Sequence, residues 1–346
     1  DPMILQLGLA NSALDSLKTA GIDAWVFSDV VADPPEDMVL AAVVEARRQG
    51  IDGVVSVGGG SSMDTAKLVA VLAQNDQPLE ELYGVGLVKG GRLPLVLAPT
   101  TAGTGSEVTP LSIVTTGSAE KKGVSAQQLI PDWAILDAEL TIGLPAAVTA
   151  ATGIDAMVHA IEAYTSKHKK NPVSDCLARE ALSLLGANIR TACTQPEDRA
   201  ARGAMLLGSM LAGMAFANAP VAAVHALAYP LGGHFHVPHG LSNAMVLPYV
   251  LEFNAPDASA AYAEIAPILF PELAGQSADA KVAGMIAAFK ALGPELGMDP
   301  KLSSVGVNHN HLPMLAEDAM KQTRLLVNNP REMTLEAAQA IYEKAL

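Results

Sequence analysis

The residues best suited to chemistry are an aspartate and a set of histidines in the second half of the chain. Eight histidines occur in all, and four of them lie between positions 225 and 239. Asp155 and His159 stand four apart on a predicted helix, a spacing that stacks both side chains on one face, where they can reach one ion. A buried, hydrogen-bonded Asp–His pair would have the same spacing, and for this pair alone that interpretation is favoured.

Two further histidines strengthen the metal interpretation. His225 lies on an otherwise apolar predicted helix, where an imidazole without a partner would be costly. His239 stands in a Pro-His-Gly helix start. Three imidazoles and one carboxylate suit Fe²⁺ or Zn²⁺, with a coordination position left for a substrate oxygen. The spacing does not decide which of the histidines at 225, 234, 236 and 239 are the ligands.

A glycine turn in the first half is suited to binding phosphate. The segment VVSVGGGSSMDTAK, residues 54–67, predicts a strand, a tight turn and a helix start. Glycines let the backbone approach a pyrophosphate, and the amides of the following helix point at its charge. The segment departs from the G-x-G-x-x-G pattern, so a tight turn without a ligand is the alternative.

A second loop makes nucleotide binding the better interpretation of the first half. The segment PTTAGTGSEVT, residues 99–109, follows a predicted strand and interleaves hydroxyl residues with glycines. Ligands of open α/β sheets bind at the carboxyl edge of the strands. Two donor-rich loops after two strands therefore indicate a dinucleotide site.

The elements that must position these residues form two groups. Buried strands are predicted at Ala24–Ser28, Gly53–Val57 and Leu95–Ala98, with a helix over Pro35–Gly50. This alternation predicts a parallel βαβ sheet. After Pro145 the pattern becomes helical. Helices are predicted at Thr149–Ser166, Ser174–Ile189, Pro196–Ala217, Val221–Leu231, Gly240–Asn254, Ala278–Leu292, Leu312–Gln322 and Thr334–Leu346. The expected domains are an α/β dinucleotide-binding domain over 1–145 and an all-α metal and substrate domain over 146–346.

Composition excludes several classes of partner. The chain has 346 residues, 22 basic against 36 acidic, and a net charge of −14. Such a surface repels nucleic acid and anionic lipid, so neither a nucleic-acid nor a membrane partner is expected. Cys176 and Cys193 form no C-x-x-C pattern, which favours reduced thiols and a cytoplasmic location.

Across essentially its whole length the chain resembles the iron-containing (group III) alcohol dehydrogenases. The resemblance rests on GGGSSMDTAK (58–67), PTTAGTGSEVT (99–109), and GIDAMVHAIEAY (153–164) with HALAYPLGGHFHVPHG (225–240). It implies a Rossmann-like α/β domain and an all-α metal domain in a dehydroquinate synthase-like architecture. It also implies a homodimer that uses NAD and Fe²⁺, with Zn²⁺ as an alternative, on a small primary alcohol or aldehyde. The implied metal ligands are Asp155, His159, His225 and His239.

The resemblance also assigns residues to the cofactor. Those expected to contact it are Asp1, Gly59, Gly60, Ser61, Asp64, Thr100, Thr101, Thr104, Ser106, Val108, Lys121, Leu140 and Thr141. Members of the family begin with a strand or two that this chain lacks. Asp1 then matches the acid that accepts hydrogen bonds from the adenosine ribose, which favours NAD over NADP.

One position departs from the family pattern. The residue four after His225, often a histidine proposed to relay the substrate proton, is Tyr229 here. The relay is therefore assigned to Tyr229 or to a nearby histidine, His236 or His234. Alternatives to the alcohol dehydrogenase assignment are a polyol or keto-acid enzyme of the same superfold, like glycerol dehydrogenase or maleylacetate reductase, and a non-catalytic relative.

Overall fold

The computed structural model describes residues 1–117 and 120–346. Contacts within the chain divide it into two compact units. The first unit contains Asp1–Thr101 and Ser106–Thr141, and the second contains Ala102–Gly105 and Ile142–Leu346. Four residues of the Thr-rich loop therefore pack with the second unit, although the loop begins and ends in the first.

The first unit is an α/β structure. Its helices are α1 (Pro2–Gln6), α2 (Asn11–Thr19), α3 (Glu36–Gln49) and α4 (Gly60–Leu72). Its strands are β1 (Val54–Gly58), β2 (Gly84–Val85), β3 (Leu95–Pro99), β4 (Leu111–Thr116), β5 (Glu120–Ser125) and β6 (Trp133–Ala134).

A parallel sheet positions the two predicted phosphate loops. The strand order is β1-β3-β6, and Gly58 pairs with Pro99 at the carboxyl ends of β1 and β3. The apolar alternation of β3 buries Leu95 and Leu97 against α4. Because both strands end at one edge, the glycine turn and the Thr-rich loop start side by side, with the Thr100 amide donating to the Gly58 carbonyl at 3.0 Å.

A second sheet, with the order β2-β5-β4, covers α4 on its other side. β2 pairs with β5 in parallel, and β4 pairs with β5 antiparallel. Sequence analysis predicted neither this hairpin nor α1 and α2. These elements have between two and nine residues, too few for a local pattern to distinguish them from loops.

The strand predicted at Ala24–Ser28 is wrong. Its residues have strand-forming side chains, and Trp25 contacts Phe27 with ring centroids 5.9 Å apart. However, the segment has no hydrogen-bonded partner strand among the described residues, and Trp25 and Val26 are exposed. A strand forms only where a neighbouring strand offers backbone hydrogen bonds, and the strand preference of the side chains does not provide that neighbour.

The described residues of the second unit form helices joined by loops, without a strand, as predicted. Its longer helices are α5 (Ala146–Tyr164), α6 (Pro172–Thr194), α7 (Arg199–Asn218), α8 (Ala223–Phe235), α9 (His239–Leu269) and α10 (Ala278–Glu295), followed by α11 (Leu312–Met320), α12 (Thr323–Leu326) and α13 (Leu335–Ala345). The helix predicted to end at Asn254 continues to Leu269, past Pro256 and Pro267.

Glycines allow the helices of this unit to approach closely. A Cβ on Gly240 would lie 2.5 Å from the Ala151 carbonyl oxygen, so the start of α9 touches α5 directly. A Cβ on Gly105 would lie 2.6 Å from the Gly213 Cα on α7, and Gly105 also has a φ of +60°. Both positions exclude a side chain.

One helix of the described residues, Arg199–Asn218, is long and apolar enough to cross a membrane by length and composition alone. More than half of its most apolar stretch is buried inside the unit, against α5 and α6. Core helices commonly have this composition, so the match is weak evidence for a membrane span.

We predict that Gly105→Ala destabilises the second unit more than a substitution at an equally left-handed but open glycine. Gly275, with a φ of +78° and no atom within 4 Å of an added Cβ, is the matched control. Gly275→Ala should cost about 1 kcal/mol of unfolding free energy from backbone strain. Gly105→Ala should cost about 2 kcal/mol more because of the clash with Gly213. Denaturant titration measures both, and equal midpoints would contradict the prediction.

Candidate metal centre

Four side chains converge in the second unit. Asp155 and His159 come from α5, His225 from α8 and His239 from the first turn of α9. Each offers one ligand atom, and these atoms all lie within 4.8 Å of one another. We call this set the Asp–His cluster. These are the four residues that the resemblance implied as metal ligands, whereas spacing alone left the choice among the later histidines open.

Hydrogen bonds fix the tautomers of two imidazoles. His225 Nδ1 lies 2.7 Å from Glu162 Oε2, and His159 Nδ1 lies 3.1 Å from the Gly103 carbonyl oxygen. A carboxylate and a carbonyl only accept, so both Nδ1 atoms carry the proton. The Nε2 lone pairs of both rings are then left for a metal.

Those two Nε2 atoms face each other. His225 Nε2 lies 3.0 Å from His159 Nε2, and Asp155 Oδ1 lies 3.8 Å from His225 Nε2 and 3.5 Å from His239 Nε2. Donors about 2.1 Å from one ion would lie about 3.0–3.5 Å apart at octahedral or tetrahedral angles. Two of these distances lie in that range and the third, 3.8 Å, is slightly longer, so a small adjustment would let the four groups share a divalent cation.

Burial and neighbouring charges shift the pKa values of His159 and Asp155. Burial lowers the pKa of His159 to about 3, so its imidazole is neutral at physiological pH. Burial also opposes ionisation of Asp155, but the neighbouring histidines, His239 most strongly, outweigh it and leave the carboxyl pKa below its ordinary value. A neutral His159 imidazole beside an ionised Asp155 carboxylate is suited to binding Fe²⁺ or Zn²⁺.

Three supporting residues were missed by sequence analysis. Glu162, one turn beyond His159, also accepts a hydrogen bond from the Val224 amide at 2.7 Å and so anchors the start of α8. Asn243, one turn beyond His239, donates to Asp155 Oδ1 at 2.5 Å. Gly103 holds His159 through its carbonyl, and a Cβ there would lie 2.8 Å from the Thr152 Cβ. The i+3 and i+4 spacings on α5 and α9 were the available signal for Glu162 and Asn243.

The two relay candidates lie in different surroundings. Tyr229 is half-buried on α8, one turn beyond His225, with its ring centroid 6.1 Å from that of His239. Burial raises its pKa, so the hydroxyl keeps its proton at neutral pH. His236 is exposed at the left-handed C-cap of α8, and His234 is 2.5 Å from Asp318. Neither of these histidines belongs to the Asp–His cluster.

With the exception of Thr104, every residue predicted to contact the cofactor lies in the first unit. Gly59 and Gly60 begin α4, and an added Cβ on Gly59 would lie 3.6 Å from Thr101 Oγ1. Ser61 follows them on α4, and Val108 lies in a short 3₁₀ turn after the Thr-rich loop.

Other predicted cofactor residues already have partners in the protein. The Asp1 carboxylate caps α1 through the Met3 and Ile4 amides, and Lys121 Nζ lies 2.5 Å from Asp33 Oδ1. Leu140 and Thr141 lie in a 3₁₀ turn, where the Thr141 hydroxyl donates to the Ala138 carbonyl.

A buried lysine organises the Thr-rich loop. Lys67 Nζ donates to Ser106 Oγ, the Thr109 carbonyl and the Leu111 carbonyl at 2.8–2.9 Å. The Ser106 hydroxyl in turn donates to Asp64 Oδ1 at 2.6 Å. The Asp64 carboxylate, expected at the pyrophosphate, therefore holds this loop, and an ionised carboxylate would itself repel a phosphate.

Burial shifts the pKa values of Lys67 and of the nearby Glu107. Burial lowers the pKa of Lys67 to about 8 although Asp64 and Glu107 favour its charged form. Burial raises the pKa of Glu107 to about 7 against the opposing charge of Lys67. Glu107 is only 1% exposed, so its ionisation is costly.

Comparison with known proteins gives matches over nearly the whole chain. The family model described as "Iron-containing alcohol dehydrogenase" matches residues 1–138, and "Fe-containing alcohol dehydrogenase family, C-terminal" matches residues 149–346. Long-chain-alcohol dehydrogenase 1 of Geobacillus thermodenitrificans (strain NG80-2) is 41% identical, over 100% of this chain and 88% of that protein.

Solved structures also match over nearly the whole chain. Alcohol dehydrogenase from Oenococcus oeni has a TM-score of 0.94 at 33% identity, over 98% of this chain and 88% of that one. Sulfoacetaldehyde reductase from Bifidobacterium kashiwanohense, solved in complex with NAD⁺, has a TM-score of 0.87 at 30% identity, over 99% and 88% of the two chains.

We predict that Glu162→Gln weakens metal binding about 10- to 100-fold without unfolding the chain, because an amide no longer fixes the His225 tautomer as a carboxylate does. Competition between the protein and a metal-binding dye measures the affinity, and circular dichroism checks the fold. Glu252→Gln is the matched control, since Glu252 pairs with Lys290 and Lys344 on the surface. An unchanged affinity in Glu162→Gln would count against the tautomer argument.

We also predict a pH-dependent stabilisation by Glu107→Gln. The carboxyl binds its proton more tightly in the folded state, with a pKa of about 7 against an ordinary 4.5. Folding therefore loses stability as pH rises between those values, and the amide avoids this loss. The variant's advantage in unfolding free energy should grow over that range to at most ~3 kcal/mol. Denaturant titrations at several pH values measure it, with exposed Glu80→Gln as control; a pH-independent difference would refute the assignment.

Proposed function

Since the chain belongs to the iron-containing alcohol dehydrogenase family, we propose that it interconverts short primary alcohols and aldehydes with NAD(H) at a divalent metal held by the Asp–His cluster. The chain is an oxidoreductase of this family. The observation that carries the metal assignment is the pair of facing Nε2 lone pairs, 3.0 Å apart, whose tautomers Glu162 and Gly103 fix.

A bound divalent ion would polarise the alcohol or aldehyde oxygen as a Lewis acid. The residues of this chain would supply position and electrostatics. Glu162 and Gly103 hold the imidazoles of His225 and His159 in one tautomer, so the site needs little rearrangement to accept the ion. The Tyr229 hydroxyl, half-buried beside His239, is the group that we propose to exchange a proton with the substrate oxygen.

Iron is the proposed metal, with zinc as an alternative, because the same donors accept both ions and availability decides between them. NAD is the proposed cofactor. It is supported by the glycine turn at the N-terminus of α4 and by the similar sulfoacetaldehyde reductase solved with NAD⁺. We further propose a cytoplasmic homodimer, which accords with the acidic charge and with free cysteines at positions 176 and 193.

We predict that His239→Ala removes bound metal and lowers turnover at least about 1000-fold while leaving NADH bound, because the lost donor belongs to the second unit and the glycine turn to the first. Metal analysis, NADH fluorescence and absorbance at 340 nm with a panel of alcohols, diols and aldehydes measure the three properties.

The matched control is His168→Ala, at an exposed histidine outside the Asp–His cluster. Full activity in metal-free His239→Ala would refute the metal-dependent reaction. If the metal-loaded natural chain shows no change of absorbance at 340 nm with any compound of the panel, the result would instead favour a non-catalytic relative.

A further inference from the structure

The second unit contains a cavity in addition to the Asp–His cluster. It has a volume of about 100 Å³ and lies among α5, α9 and α10. Ile154 of α5, Met245 and Leu247 of α9, and Phe289 of α10 line it, and all four side chains are buried. Among the described residues that line the cavity, none belongs to the Asp–His cluster. The cavity is therefore a separate concave site within the same unit.

The size and the lining of the cavity favour a small apolar molecule. A cavity of roughly 150 Å³ holds one benzene molecule, so this one has room for about four or five non-hydrogen atoms. It is far too small for a nicotinamide nucleotide. A buried water usually makes about three hydrogen bonds, and a mostly apolar wall offers few of them. The expected occupant therefore has a hydrocarbon body of a few carbon atoms.

The cavity reaches the surface beside Tyr249 and Lys290. Both residues line it, and Tyr249 is half-buried whereas Lys290 is exposed. The Lys290 ammonium lies 5.2 Å from the centroid of the Tyr249 ring and donates to Glu252 Oε1 at 2.7 Å. Because a carboxylate already pairs with this ammonium, its charge does not require an anion in the cavity. The expected occupant is therefore uncharged.

Two prolines leave backbone acceptors at the wall of the cavity. In an α-helix the amide of each residue donates to the carbonyl four residues before it, but proline has no N–H. Pro248 of α9 therefore cannot donate to the Ala244 carbonyl, and Pro294 of α10 cannot donate to the Lys290 carbonyl. Both Ala244 and Lys290 line the cavity. Backbone acceptors in an apolar wall suit a molecule with one hydroxyl donor.

We propose that this cavity binds a small aliphatic alcohol, with its hydrocarbon part against Ile154 and Met245 and its hydroxyl donating to the Ala244 or Lys290 carbonyl. The site is separate from the proposed catalytic one and needs neither metal nor nicotinamide. Two of the helices that line it, α5 and α9, also carry members of the Asp–His cluster. An alcohol that binds only the folded chain stabilises these helices by linkage.

The probe for this site is tert-butanol, because its carbinol carbon has no hydrogen to lose as hydride and the alcohol is not turned over. Carbon-13 in the methionine methyl groups gives one signal from Met245, assigned with Met245→Leu, and another from Met3, which is 55% exposed in the first unit. Titration of the metal-loaded chain should shift the Met245 signal to a plateau, with a dissociation constant in the millimolar range because so small a molecule makes few contacts. The Met3 signal should show no plateau.

A side chain that fills the cavity should abolish binding. Gly293 of α10 lines it, and an added Cβ would lie 3.6 Å from the Pro300 Cβ, an ordinary contact that the fold tolerates. Gly293→Val should weaken tert-butanol binding at least about 10-fold, because the isopropyl group occupies the space of the probe. Ala291→Val places the same side chain at an exposed position of α10 and should bind as the natural chain does. Circular dichroism and melting temperatures check the fold of both variants.

A ketone of similar size tests the chemical class of the ligand in the natural chain. Butanone matches tert-butanol in its number of non-hydrogen atoms but has no hydroxyl donor. It should bind about 3- to 10-fold more weakly, which is the usual contribution of one hydrogen bond.

Four outcomes would overturn the inference. A Met245 shift that grows without a plateau, like that of Met3, would mean that the alcohol acts only as a solvent. Equal affinity for butanone would mean that the carbonyls do not select a hydroxyl. Unchanged binding in Gly293→Val would place the alcohol elsewhere. Loss of binding in His239→Ala, the variant expected to lose its metal, would place it at the Asp–His cluster.

Discussion

The geometry of this protein's second unit depends on two imidazole nitrogens that face each other with their lone pairs free. His225 Nε2 lies 3.0 Å from His159 Nε2, and a cation bound by both rings would remove the repulsion between their lone pairs. The other nitrogen of each ring donates a hydrogen bond, His225 Nδ1 to the Glu162 carboxylate and His159 Nδ1 to the Gly103 carbonyl. The folded chain therefore prepares a site for positive charge before any ion arrives.

This requirement explains several features of the helices. The tight approach of Gly240 to Ala151 brings His239 against α5. Glu162 both orients His225 and anchors the first turn of α8, so one carboxylate sets the position of the helix and of its ligand. The absence of a side chain at Gly103 lets a backbone carbonyl reach His159. Packing and ligand geometry are thus determined by the same contacts.

In the first unit, a buried lysine holds the Thr-rich loop in place. Lys67 is fully buried, and its three short hydrogen bonds join the start of β4 to the Thr-rich loop. Burial lowers the pKa of Lys67 to about 8, while the nearby carboxyl groups of Asp64 and Glu107 favour its charged form. A donor-rich loop is flexible by composition, and this internal cation holds it in one conformation beside the glycine turn.

The sequence by itself determined the longer local elements, and its resemblance to the family indicated the four clustered residues. Helical period located α5 and α8, glycine chemistry located the turn after β1, and four-residue spacing paired Asp155 with His159. Spacing alone leaves His234 and His239 equally plausible as further members, and only the packing of α8 and α9 places His239 in the cluster and His234 beside Asp318. The same holds for the extended segment at Ala24–Ser28, which has strand-forming residues but no partner. Spacing along the chain encodes neighbours within one element, whereas ligands and ladders join elements that are distant in sequence.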